Sequence, residues 1–113
     1  GGYVRKSIAI GITASATESV AGGTLLAKDI NVVDTAGASD AVTLPAAVAG
    51  SEIRIINRTA QTITVWPDVT GNGINALGAN AAYNVATLVE VICTAMATTS
   101  SSATAWECQK LSR

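Results

Sequence analysis

Apolar and polar residues alternate with a period of two through the middle of the chain. In Ser51–Thr59, Ile53 and Ile55 point one way while Arg54, Ile56 and Arg58 point the other, which predicts a strand. Ala60-Gln61 forms a short polar turn, and Ile63 and Val65 then alternate with Thr64 and Trp66. Two such runs in quick succession predict a hairpin, ended by Pro67, which cannot donate to a sheet ladder. Val85–Thr94 predicts the longest strand, with Val85, Thr87, Val89, Val91 and Cys93 on one face and Ala86, Leu88, Glu90, Ile92 and Thr94 on the other. Thr104–Leu111 returns with Trp106, Cys108 and Lys110 in phase, beyond a Ser/Thr tip at Ala97–Ala103.

Upstream, Tyr3–Ile12 reads as a strand with Val4, Ile8, Ile10 and Ile12 in phase, and Asp29–Thr35 and Ala41–Leu44 read as two more around a turn at Gly37. Thr13–Gly23 reads as a loop or one helical turn, Ala79–Ala86 as a short helix or irregular chain, and Asp68–Gly78 as a Gly/Asn loop. Seven to nine short strands at this spacing predict an all-β fold, a small antiparallel β-sandwich or jelly-roll-like barrel. No clean repeat of 20–50 residues stands out, so a solenoid is not expected. The chain divides into an N-terminal strand or arm over residues 1–15 and a β-domain over residues 16–113.

Ile55-Ile56 and Val91-Ile92 place apolar side chains on both faces of their strands, which fits either strands wedged in a deep core or, preferred here, a second buried surface at a subunit interface through Ile56 and Ile92. Composition strengthens that reading. Of the 113 residues 49% are hydrophobic, but only 13% are charged, about half the usual share, so a monomer would carry little to keep its surfaces apart.

Reactive groups are scarce. The chain has no histidine, which excludes Ser-His-Asp and Cys-His catalysis and His-ligated metals. Its carboxylates form no marked pair, and Asp34, Asp40 and Asp68 sit in apparent turns, so no enzymatic activity, cofactor or metal is expected. Asp68, Asn72 and Asn75 offer oxygen donors but miss the calcium-loop pattern, and turn formation explains them better. With a net charge of −1 and no basic stripe beyond Arg5-Lys6, nucleic acid is not an expected partner. No apolar run approaches the length needed to cross a bilayer as a helix, and no signal-peptide core follows Gly1-Gly2. The missing initiator Met reads as a chain cut from a longer protein or tag.

Cys93 and Cys108 admit two readings. If the last strands pair symmetrically about Ser100-Ser101, the cysteines fall opposite each other on one face and can be bridged. The alternative, preferred on sequence, is two small apolar core residues in a reducing compartment. Trp66 and Trp106 are either core and interface residues or platforms for a sugar ring, Trp106 being the more buried in register.

The ordered series Val42-Thr43-Leu44-Pro45 through Gly50, Ile55-Ile56-Asn57, Thr64-Val65-Trp66-Pro67, Gly73-Ile74-Asn75, Ile92-Cys93-Thr94 and Ala105-Trp106 resembles a β-domain of tailed-bacteriophage structural proteins. These include capsid decoration proteins and head or tail fibres. The resemblance implies a non-enzymatic, trimeric virion component, assembled in the bacterial host cytoplasm, that attaches to a major capsid or tail protein. The N-terminal arm, Gly1–Thr13, departs from the shared pattern, so Tyr3, Arg5 and Lys6 are the candidates for contact with a shell subunit. A receptor- or glycan-binding module at a fibre tip is the alternative.

Overall fold

The computed structural model describes residues 5–97 and 104–111, and among these every regular element is a strand. The nine strands are β1 (Ile8–Thr13), β2 (Thr24–Leu25), β3 (Ile30–Thr35), β4 (Ala41–Thr43), β5 (Glu52–Asn57), β6 (Ile63–Trp66), β7 (Tyr83–Val85), β8 (Glu90–Ala95) and β9 (Trp106–Lys110). They form two sheets, ordered β1-β3-β5-β8-β9 and β2-β4-β6-β7, and among the described residues no barrel closes.

Both sheets are mixed, which corrects the antiparallel expectation. From β1 to β6 the chain crosses from one sheet to the other at every step, and each arriving strand lies parallel to the previous strand of that sheet. Ile8, Ile30 and Arg54 stack in one sheet and Thr24, Val42 and Val65 in the other, so the chain winds as a coil advancing 18 to 24 residues per turn. Only β7, β8 and β9 add antiparallel pairs. The winding is solenoid-like without a sequence repeat, because turns of unequal length share strand pairing and not side chains.

The expected hairpin between Ser51–Thr59 and Ile63–Trp66 does not form. Its strands are β5 and β6, which belong to different sheets. The cause is Asn57, only 1% exposed at the end of β5. Its Nδ2 donates to the carbonyls of Gln61 (2.8 Å), Val85 (3.1 Å) and Ala86 (3.2 Å). Its Oδ1 accepts from the Thr59 amide (3.0 Å) and hydroxyl (2.8 Å). These bonds satisfy the backbone of a corner that turns out of one sheet and into the other, where a hairpin would have satisfied it by cross-strand pairing.

Val85–Thr94 is likewise two elements. The chain leaves β7 in one sheet and enters β8 in the other through a turn at Ala86–Val89, with Leu88 in the left-handed region at φ 61°. Residues 14–23 form turns rather than a helix, and Ala79–Ala86 supplies β7. Beside the first of these, Gly23 lies so close to β4 that a Cβ would come within 2.7 Å of the Ala41 and Val42 backbones, which explains the glycine there.

One core lies between the sheets. The five-stranded sheet contributes Val33, Ile53, Ile55, Val91, Cys93, Ala95, Trp106 and Cys108, and the other contributes Val42, Ile63, Val65 and Val85. Each fully buried Val, Leu or Ile contributes about 1.5–3 kcal/mol relative to exposure. Asn31, also in the interior, is satisfied by the carbonyls of Lys28 (2.8 Å) and Arg54 (3.2 Å). Cys93 and Cys108 are opposite one another in β8 and β9, with α-carbons 3.9 Å apart, and their sulfurs are bonded. The preferred reading of two free thiols is therefore corrected.

Candidate interaction surface

The outward face of the five-stranded sheet is assembled rung by rung from strand register. Ile8, Ile30, Arg54, Ile92 and Gln109 form one rung, and Val32, Ile56 and Glu90 the next. Glu52, Thr94 and Glu107 form the rung on the other side. The face is thus apolar on its β1-β3-β5 half and rimmed by charges of both signs. Val32 is only 1% exposed although it lies outside the core cluster. Ile30, Ile56 and Ile92 are half-buried, while Ile8 and Ile10 are 56% and 72% exposed. In the centre Arg54 Nε lies 3.1 Å from Glu90 Oε2, and the Glu90 side chain is 5% exposed against 41% for Arg54.

Ile8 is placed on this face by its register with Ile30, and β1 becomes irregular beyond Ala9. The register with β3 slips between Ala9 and Ile12, and Gly11 lies in the left-handed region at φ 71°. Such a bulge re-aims the side chains beyond it. Ile12 consequently packs against the core while Ile8 and Ile10 stay outside, which corrects the expectation that all share one face. Gly11 in an otherwise apolar strand was the available signal.

The start of β1 is latched by a reciprocal bond. Asp29 Oδ2 accepts from the Ser7 amide (2.9 Å) and hydroxyl (3.0 Å), and Ser7 Oγ accepts from the Asp29 amide (2.9 Å). These bonds, the backbone one foremost, hold the Asp29 carboxyl below its ordinary value, with a smaller contribution from the Lys6 charge. A depressed pKa stabilises the fold above the unfolded value and that contribution is lost as pH falls through the folded one. Hydrogen-exchange protection at Ser7 and β1 is therefore expected to hold above the ordinary carboxyl value of 3.8 and to drop as pH falls below it, and Asp29→Asn to remove that pH dependence.

The sheet's other edge is capped. Asn75, at φ 54°, donates from Nδ2 to the Cys108 carbonyl (2.9 Å) and accepts at Oδ1 from the Cys108 amide (2.7 Å). The Asn75 amide donates to the Trp106 carbonyl (2.9 Å), and the Trp106 amide to the Gly73 carbonyl (3.2 Å). A loop thus occupies the β9 edge where another strand could pair. Asn75→Ala removes two of these bonds and a residue suited to positive φ, with an expected cost of about 2 kcal/mol. Denaturant melts measure the cost, and light scattering should show the variant aggregating faster than the wild type.

Of the residues singled out from sequence, Ile56 and Ile92 lie on this face as diagonal neighbours. Arg5 and Lys6 are exposed just before β1, and Tyr3 lies outside the described residues. Trp66 belongs to the other sheet, half-buried, with its indole Nε1 donating to Thr64 Oγ1 at 2.9 Å. Trp106 is completely buried and cannot meet a sugar. Of the loop residues Asp68, Asn72 and Asn75 considered as oxygen donors, Asn75 has its side-chain amide bonded to β9 at Cys108. Among the described residues no group of three His, Cys, Asp or Glu side chains is placed to hold a metal ion. No described helix could cross a membrane. Comparison with protein-family models, curated proteins and solved structures gave no match.

Proposed function

We propose that this chain is a non-enzymatic structural module of a tailed-phage particle, a two-sheet sandwich that assembles as a trimer and attaches to a major capsid or tail protein. The observation that carries the reading is the outward apolar face of the five-stranded sheet, with Ile8 and Ile10 more than half exposed. A sheet that is apolar on both faces needs a second partner, and closed rotational symmetry is the usual way to supply one. The resemblance of the ordered motifs adds the virion setting. Mass spectrometry and immunogold labelling of purified phage particles from the chain's source should find it on their surface in many copies, and its absence from particles overturns the reading. A glycan-binding fibre tip is favoured only by the half-buried Trp66 ring, and a flat Trp fluorescence response to a glycan panel counts against it.

A further inference from the structure

The two flanks of the outward face differ in a way that matches them to each other. On the β1 flank Ile8 is in register with Ile30 on the outer side, Ile10 is exposed two residues on, and Lys6 borders a small pocket with Asp29, Ile30 and Glu52. On the β8-β9 flank lies a groove of about 560 Å³ whose lining includes Ile92, Met96 and Leu111 with Glu52 and Glu107. One flank is therefore basic then apolar, and the other is an apolar floor with an acidic end. The heights agree as well. Lys6 precedes Ile8 by two residues, and Glu107 precedes Gln109 by two, while Ile8 and Gln109 lie on the same rung.

Within one chain Lys6 borders Glu52 and Ile92, at the near end of the groove, but it cannot reach Glu107. β1 and β9 are the opposite edges of the sheet, four strand spacings or about 19 Å apart. Edge-to-edge pairing is also obstructed, by the Asn75 cap on β9 and by the bulge in β1. The face is left as the surface for assembly.

We propose that the β1 flank of one copy docks into the β8-β9 groove of the next, so that Lys6 meets Glu107 and Ile8 and Ile10 cover Ile92 and Leu111. This rests on the self-assembly part of the reading above and names its contact. The contact is heterologous, joining two different patches. A rotation axis running along the strands preserves the height of each rung, so repeating the contact closes a ring. The mixed rim then pairs basic with acidic ends at every junction, which fixes register and disfavours the reversed arrangement.

The test uses the full chain in sedimentation equilibrium at low salt. Wild type should form a closed oligomer. Lys6→Glu and Glu107→Lys should each raise the dissociation constant at least about tenfold, and the two together should restore most of the affinity. Ile10→Glu, at a solvent-exposed position, should yield a folded monomer, with the intact disulfide and circular dichroism as the check on folding. A double charge swap no better than the singles, or an oligomer untouched by any of the three changes, overturns the contact while leaving self-assembly standing. A wild-type monomer overturns both the contact and self-assembly, and particle labelling then decides the virion role separately.

Discussion

Replacing Asn57 by Ala is expected to destabilise the protein by about 3 kcal/mol, a large share of the stability of a domain this size. The side chain is 1% exposed and makes five hydrogen bonds. Removing it leaves the Thr59 amide without its acceptor and takes a donor from the carbonyls of Gln61, Val85 and Ala86, the last of which keeps the Val89 amide at 3.2 Å. Each buried polar group without a partner costs about 1–3 kcal/mol, although the Thr59 hydroxyl keeps a bond to the Gln61 carbonyl at 3.0 Å. Asp at the same position is the informative companion. It retains the acceptor for Thr59 but presents a second oxygen to three carbonyls, so it should be at least as damaging as Ala. Urea denaturation of both variants measures the effect. A loss below about 1 kcal/mol for Asn57→Ala would mean that the corner is held by packing instead.

The same residue shows how far the pattern of the sequence carries. Period-two alternation places Ile53 and Ile55 inside and Arg54 and Ile56 outside, as the structure does, because alternation is a property of the strand alone. Pairing is not. Strands β5 and β6 are separated by a connection short enough for a hairpin, and the choice between hairpin and corner was made by a buried amide whose partners at Val85 and Ala86 are nearly thirty residues away. Parallel coiling was hidden for a related reason. Thr24–Leu25 and Ala41–Thr43 are too short to show a face, so nothing local marks them as successive rungs of one sheet. The outward surface was half legible. Ile56 and Ile92 stand beside Ile55 and Val91, and a doubled apolar pair is visible in any strand. Ile8 and Ile10 needed the bulge at Gly11 to separate them from Ile12, and Ile30 needed its register with Ile8. The acidic groove on the β8-β9 flank exists only once Glu52 and Glu107, on strands far apart in the chain, are brought to one rung by Thr94.

Reducing the Cys93–Cys108 disulfide is expected to cost about 3 kcal/mol, the second large effect. The bridge closes a loop of sequence separation 15, and restricting the unfolded chain by that amount is worth about 3 kcal/mol in the chain-entropy model. For a chain of this length that corresponds to a fall in Tm on the order of 10 °C or more. The folded state should survive reduction, because β9 is held on two other sides. Trp106 is fully buried in the core, and Asn75 bonds the strand's outer edge at Cys108 itself. Calorimetry with and without a phosphine reductant isolates the covalent term, whereas Cys93→Ala with Cys108→Ala adds the loss of buried sulfur and should cost more. Asn75→Ala in the reduced protein provides the sharper test. The disulfide and the amide grip one residue from opposite sides, so removing both should cost more than the sum of the separate losses. Strict additivity would show that the cap and the bridge secure β9 independently.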